Sequence, residues 1–128
     1  MRMQLSLHRN WRSQGVPRFA ANLSTMFCEA PFTERFAPTA RAGFQAVEFL
    51  FPYDYAPEAL ASLLKDSGVV NVLFNLPPGD WAMRERGLAA VPGREAEFRA
   101  SVATAIEYAR VLRTPQLHVM AGLTPDKS

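Results

Sequence analysis

The stretch from Phe74 to Arg94 gathers the side chains of this 128-residue chain best suited to meet a small polar ligand. It reads Phe-Asn-Leu-Pro-Pro-Gly-Asp-Trp, then Glu-Arg-Gly, then Val-Pro-Gly-Arg. Asn75, Asp80, Trp81, Arg84, Glu85 and Arg86 all lie within it. Such a set offers charges to fix a ligand and an indole to cover it. A Pro-Pro-Gly turn followed by about a dozen residues without periodicity predicts a long loop, and long loops in compact domains tend to carry function.

Four strand-like segments each carry a polar residue near the C-terminal end: Asn22, Glu48, Asn75 and His118. Buried parallel strands read as near-continuous apolar runs. In barrels and open α/β sheets, ligands sit at the C-terminal ends of the strands. One polar residue per strand therefore predicts a common mouth. Each has a plainer reading beside the functional one. Asn22 and Asn75 would tie down loop backbone, Glu48 would hold an arginine, and His118 would be a satisfied rim histidine. Trp81 would be a hydrophobic lid, Asp80 a loop cap, and Arg84 or Arg86 solvated charges. A glutamate inside an apolar strand is costly unless paired, which favours a site role for Glu48. The chain has no Gly-x-Gly-x-x-Gly, Walker-type loop or Gly-x-Ser-x-Gly elbow. No Cys/His spacing suggests zinc.

The elements that position these residues alternate. Phe19 to Ser24, Ala46 to Phe51, Val69 to Leu76 and Gln116 to Ala121 read as strands. Phe32 to Ala42 reads as a helix kinked or shortened by Pro38. A second helix opens at Pro57 and stops at Gly68, with Leu60, Leu63 and Leu64 as its stripe. The third runs from Arg94 to Leu112, with Phe98, Val102, Ala105, Ile106 and Ala109 on one face. The order β-α-β-α-β-loop-α-β implies parallel, adjacent strands joined by right-handed crossovers, an α/β fold.

Hydrophobic residues make up 48% and charged residues 20%, a globular composition long enough for one core. No apolar run reaches the ~20 residues of a membrane helix. The single cysteine, Cys28, excludes an internal disulfide framework and suits a reducing, cytoplasmic setting, most simply as a small buried filler rather than a reactive thiol. The formal charge is +2, but Arg2, Arg9 and Arg12 fall in the first 15 residues with no acid. The rest carries −1, with no basic stripe for nucleic acid. Residues 1–17 are polar, basic and aperiodic. They read as an extension outside the fold or, less simply, a transit peptide. Residues 18–128 read as the folded unit.

Long strings in this order resemble the hydroxypyruvate isomerase family, within the xylose-isomerase-like TIM barrels. They are Pro17-Arg-Phe-Ala-Ala-Asn-Leu-Ser24, Gly43-Phe-Gln-Ala-Val-Glu-Phe-Leu-Phe-Pro-Tyr-Asp54 and Phe74-Asn-Leu-Pro-Pro-Gly-Asp-Trp81. Glu85-Arg-Gly87, Val91-Pro-Gly-Arg-Glu95 and His118-Val-Met-Ala-Gly122 complete the set. The 2-oxotetronate isomerases share most of these, especially the last, while the Asp-Trp and Glu-Arg-Gly strings lean toward hydroxypyruvate isomerase. Where family members usually begin with Met, this chain has Val16, so an alternative start there is one reading of the leader.

The resemblance implies aldose–ketose isomerisation of a small hydroxy or keto acid in glyoxylate metabolism, through a metal-assisted enediolate. It implies a divalent Mg or Mn in the whole barrel. A (β/α)₈ barrel takes about 250 residues, and the family's metal and catalytic carboxylates come from later strands. The expectations are therefore the first four strands of a barrel, no metal held by this chain, and no turnover by it alone. Asn75, Asp80, Trp81, Arg84 and Arg86 would contact substrate, with Glu48, His118 and Asn22 lining the mouth. No catalytic base is assigned. A non-catalytic half-barrel that self-associates or binds a partner through open sheet edges is the alternative of a different class. The DNA-repair endonucleases of the same superfamily fit poorly with the near-neutral core, and neither nucleic acid nor membrane is an expected partner.

Overall fold

The computed structural model describes residues 17–123. The expectation for the 1–17 extension thus falls, apart from Pro17, outside the described residues. The elements are β1 (Ala20–Asn22), a 3₁₀ turn (Phe32–Glu34), α1 (Phe36–Arg41), β2 (Ala46–Phe49), α2 (Pro57–Ser67), β3 (Val70–Asn75), α3 (Glu95–Leu112) and β4 (Gln116–His118). The strands form one sheet in the order β1-β2-β3-β4. Every neighbouring pair is parallel, as the alternation predicts. Among the described residues β1 and β4 each pair with one strand only, so both sheet edges are open.

The first predicted helix is split. Phe32–Glu34 forms a 3₁₀ turn, and α1 begins only at Phe36. Pro38 is the third residue of α1, where an N–H has no intrahelical partner, so it shortens the helix without breaking a bond. Phe32 earns its separate turn by packing: its ring centroid lies 5.4 Å from Phe49 and 5.2 Å from Tyr55. The Arg35 guanidinium holds the preceding connection, donating to the carbonyls of Ala30 (2.8 Å) and Leu23 (2.7 Å). Cys28, in this connection, is exposed and not the buried filler expected, because the segment runs outside the core.

Pro57 opens α2, and Gly68 closes it at φ 73°, donating its N–H to Leu64 and Lys65 carbonyls. Leu60 and Leu64 are buried. Along α3, Ala105 is fully buried, and Phe98, Val102 and Ala109 pack on the core. Ile106 is the exception to the predicted stripe, being 39% exposed. It follows Ala105 by one residue, about 100° round the helix, which carries it past the edge of the apolar face.

The core lies between the sheet and the helices. Ala21, Leu23, Val47, Phe49, Phe74 and Leu76 fill the helix side of the sheet against Phe36, Leu60 and Ala105. Phe49 and Phe74 stack with ring centroids 6.2 Å apart. Strand β4 is shorter than predicted. Its parallel pairing stops at His118, and Ala121 instead forms an isolated antiparallel bridge to Gly87.

One irregularity sets the phase of the sheet. Val47 pairs with Asn71, but Glu48 pairs with Leu73, leaving Val72 as an extra residue in β3. Asn71 is 2% exposed, an unexpected polar residue in the core. Its Nδ2 donates to the carbonyls of Val47 and Leu73, both at 3.3 Å, spanning the bulge. Its Oδ1 accepts the Thr114 hydroxyl at 2.6 Å, which ties the α3–β4 connection to the same point.

Replacing this amide leaves buried partners unsatisfied, so Asn71→Ala is expected to lower unfolding free energy by ~2 kcal/mol, read from urea denaturation. Thr114→Val, which removes one bond, should cost less. An unchanged midpoint in Asn71→Ala would mean that the amide does not pin the bulge.

Candidate functional site

Asn22 pairs with Glu48 across β1–β2, and Asn75 with His118 across β3–β4. The neighbours Ala21, Val47, Phe49 and Phe74 all face the helices. Strand side chains alternate, so all four polar residues lie on the opposite face, near the C-terminal ends of their strands. Asn22 Nδ2 donates to Glu48 Oε1 at 3.0 Å. Asn22 also anchors backbone, since its Oδ1 accepts the Ser24 N–H at 2.9 Å. On the other pair, His118 Nδ1 lies 3.2 Å from Asn75 Oδ1, and Asn75 Nδ2 faces the Met120 sulfur at 3.6 Å. Asn75 backbone is pinned as well: its N–H donates to Leu50 and its carbonyl accepts the Tyr53 hydroxyl at 2.6 Å. Burial, helped by the neighbouring Tyr108, pushes the Tyr53 phenol well above its ordinary pKa, so it stays a proton donor.

The loop after β3 is built. The Asp80 carboxylate accepts the Met83 N–H at 3.0 Å, which is the loop-cap geometry, while its carbonyl accepts the Glu85 N–H at 3.0 Å. Arg84 is exposed with φ 65° and donates its backbone N–H to Trp81 at 3.1 Å. Trp81 stands edge-on to Phe51, with centroids 5.0 Å apart. The Arg86 guanidinium carbon sits 3.8 Å from the Trp81 ring centroid, and Nη1 donates to the carbonyls of Glu85 (2.8 Å) and Trp81 (3.4 Å). Such a cation–π contact is worth ~0.5–1 kcal/mol at an exposed site.

Backbone bonds carry the loop to the end of β4. Gly122 donates to Arg86 at 3.1 Å, and Ala90 donates to Ala121 at 2.7 Å. Only glycine fits here: a Cβ at Gly87 would lie 2.1 Å from the Met120 carbonyl oxygen, and one at Gly122 would lie 2.4 Å from that of Gly87. Phe51 follows β2 and Gly122 follows β4. The Trp81–Arg86 pair therefore reaches across the C-terminal end of the sheet between them.

Sequence reasoning gave Glu85 no role of its own and missed Arg94. Glu85 binds the Asp80 N–H through one oxygen and Arg94 through the other. Arg94 also forms a fork with Glu97, at 2.6 and 2.8 Å. This chain of contacts fastens the loop to the start of α3. Nothing in the spacing of Glu85 and Arg94 announces a contact nine residues apart across an irregular segment. A recess of about 280 Å³, lined by Leu88, Val91, Pro92, Glu95 and Phe98 among others, does not involve the four polar strand residues.

Among the described residues no group of three or more His, Cys, Asp or Glu side chains stands close enough to hold a metal ion. None of the described residues makes such a ligand set for the divalent metal that the family resemblance implies, whose carboxylates that resemblance puts on later strands. No helix among them is long and apolar enough to cross a membrane.

Comparison with known proteins follows the same lines. The family described as xylose isomerase-like TIM barrel matches residues 36–128. A 2-oxo-tetronate isomerase of Cupriavidus necator is 56% identical over 110 residues, covering 86% of this chain and 42% of that protein. The hydroxypyruvate isomerase of Escherichia coli is 51% identical over 108 residues, covering 84% and 42%. A crystal structure described as AP endonuclease, family 2, from Brucella melitensis superposes with a TM-score of 0.83 at 58% identity, covering 84% of this chain and 42% of that one. The chain thus spans about two-fifths of the length of these relatives.

The Glu85 fastening has a pH signature. The hydrogen bond from Arg94, and then that from the Asp80 N–H, hold the Glu85 carboxyl below its ordinary pKa. A depressed carboxylate contributes fully above its unfolded pKa and loses that contribution as pH falls through the folded value. Trp81 emission, followed in a Trp11→Phe background, should stay level through the ordinary carboxylate range and change only at lower pH. Arg94→Gln should move the change to higher pH. At neutral pH, Glu85→Gln should speed tryptic cleavage after Arg84 and Arg86 several-fold. Equal cleavage rates would show that the loop holds its shape without this contact.

Proposed function

Because the chain belongs to the xylose isomerase-like TIM barrel family, we propose that it contributes the substrate-holding part of an isomerase for small hydroxy-oxo acids. The preferred reaction is the interconversion of hydroxypyruvate and tartronate semialdehyde by proton transfer between adjacent carbons through an enediolate. The names of the relatives support an isomerase. The observation that supports the reading is geometric: two amide-linked polar pairs share one face of the sheet, and the loop after β3 lays Arg86 on Trp81 while in contact with segments that follow β2 and β4.

In this reading Arg86 binds the substrate carboxylate. Stacking on the indole keeps the guanidinium flat and partly shielded from water, which strengthens its pull on an anion. Nη1 is committed to backbone carbonyls, so the remaining edge of the fork meets the acid. Trp81 excludes water above the reacting carbons. Asn22 steadies Glu48, and Asn75 steadies His118, giving fixed hydrogen-bonding groups below. Asp80 shapes the loop through its cap rather than through free charge. The C–H base and the metal ligands are assigned to no residue here, so this chain is expected to bind without turnover.

A second reading is isomerisation of a 2-oxo-tetronate, one carbon longer, favoured by the Cupriavidus necator relative. Both substrates present a carboxylate beside a carbonyl, so Arg86 serves either, and the space beyond the reacting carbons decides between them.

In the Trp11→Phe background, the purified chain should show a saturable change in Trp81 emission with hydroxypyruvate, in the millimolar range. Arg86→Gln should weaken it about tenfold, as expected for loss of one charged hydrogen bond. Assays with Mg²⁺ or Mn²⁺ should detect no isomerisation. Turnover at ordinary enzyme rates, on the order of 1–10³ per second, would overturn the division of labour and return the catalytic role to residues of this chain. Binding of abasic-site DNA with no response to either acid would overturn the isomerase reading.

A further inference from the structure

The Asn75–His118 pair decides which nitrogen of the imidazole carries its proton. We propose that His118 is held as the Nδ1–H tautomer, and that its bare Nε2 carries the hydroxyl proton from one substrate oxygen to the other. The assignment of this role rests on the isomerase reading; the tautomer rests on geometry alone.

Both partners are fixed at the backbone. Asn75 is 7% exposed, its N–H is bonded to Leu50, and its carbonyl takes the Tyr53 hydroxyl. His118 is fixed by the Leu76 N–H, which donates to its carbonyl at 3.0 Å. The two side chains then meet at 3.2 Å between Asn75 Oδ1 and His118 Nδ1. Met120 sets the orientation of the amide. Its thioether sulfur lies 3.6 Å from Asn75 Nδ2 and accepts from it weakly. Rotating the amide by half a turn would set Oδ1 against the sulfur, two electron-rich atoms with no proton between them. Oδ1 therefore faces the ring, and an amide oxygen only accepts. Nδ1 must donate, and in a neutral imidazole this leaves Nε2 as a lone pair. The ring is exposed on the face of the sheet that carries Glu48 and Asn22, so that lone pair is accessible.

Isomerisation of a hydroxy-carbonyl compound moves two protons. One passes between carbons. The other must leave the hydroxyl oxygen and arrive on the former carbonyl oxygen. His118 is suited to the second. The substrate O–H bond breaks as an Nε2–H bond forms, and the ring becomes an imidazolium. That cation keeps its Nδ1–H on Asn75, so no reorganisation is needed. The Nε2–H bond then breaks as the proton passes to the neighbouring oxygen. The ring returns to its starting state, and no external acid, base or oxidant is consumed. Glu48 stands two strands away, about 10 Å across the sheet, and takes no part in orienting the ring.

The test is nitrogen NMR of the chain labelled at histidine, in a His8→Gln background so that only His118 reports. Two-bond couplings to the ring protons distinguish the nitrogens. At a pH where the ring is neutral, Nδ1 is expected to be pyrrole-type and Nε2 pyridine-type, with Asn75→Ala shifting the population toward Nε2–H. Hydroxypyruvate should then move the Nε2 resonance upfield, as a hydrogen bond to it forms. An Nε2–H tautomer in the parent chain overturns the proposal. So does an unmoved Nε2 when Trp81 emission shows hydroxypyruvate bound, and the isomerase reading then survives. If neither Trp81 nor Nε2 responds, the isomerase reading itself fails, and the proton-carrying role falls with it.

Discussion

The bulge between β2 and β3 is the constraint on which the rest of the structure depends. Without the extra residue, Glu48 would pair with Val72, and Phe49 with Leu73. Asn75 would then share a face with Phe49 rather than with Glu48. A one-residue change of register flips every later side chain to the other side of the sheet. With the bulge, Phe74 stacks on Phe49 in the core, and Asn75 joins Glu48 on the open face. The core and the polar mouth are thus two consequences of one local event. Asn71 is buried to stabilise it, meeting the cost of a polar group in the core with three hydrogen bonds. Among the described residues no buried side-chain nitrogen or oxygen lacks a partner.

The second constraint is close approach of backbone. Gly87 and Gly122 let two segments cross where no side chain would fit, and this crossing fastens the loop to the end of β4. The far side of the loop rests on Phe51 through Trp81. Its shape is therefore set at both margins, and Glu85 with Arg94 closes the span between loop and helix. Arg86 gains its position from this frame. It is neither a solvated surface charge nor a buried ion pair, but a cation laid on an indole with one nitrogen tied to carbonyls.

These two constraints separate binding from proton chemistry in the proposed isomerase. In that proposal the loop supplies a cation and an apolar cover, both suited to hold an acid. The sheet supplies groups whose hydrogen-bonding state is dictated by an amide neighbour. An asparagine beside each ionisable residue supplies orientation without adding charge, so the mouth is not burdened with repulsion between like groups.

The alternation of elements was legible in the sequence because it depends on local pattern. Apolar runs, Pro57 and Gly68 at the ends of α2, and the stripe of α3 all act within a few residues of one another. The resemblance to a family added the barrel, since its strings follow the same order. What the sequence could not decide was anything set by contacts distant along the chain. Period-two reasoning placed Asn22, Glu48, Asn75 and His118 on one face, yet it holds across β2 and β3 only because of a bulge that no pattern announces. The loop read as irregular because its order comes from Glu85 meeting Arg94 and from Gly87 meeting Ala121, neither of which is a periodic contact. Residue types determined which chemistry is present; the register of the strands and the crossing of backbones decided which of those residues meet, because hydrogen bonds and steric fit act between atoms brought close in space, whatever their separation along the chain.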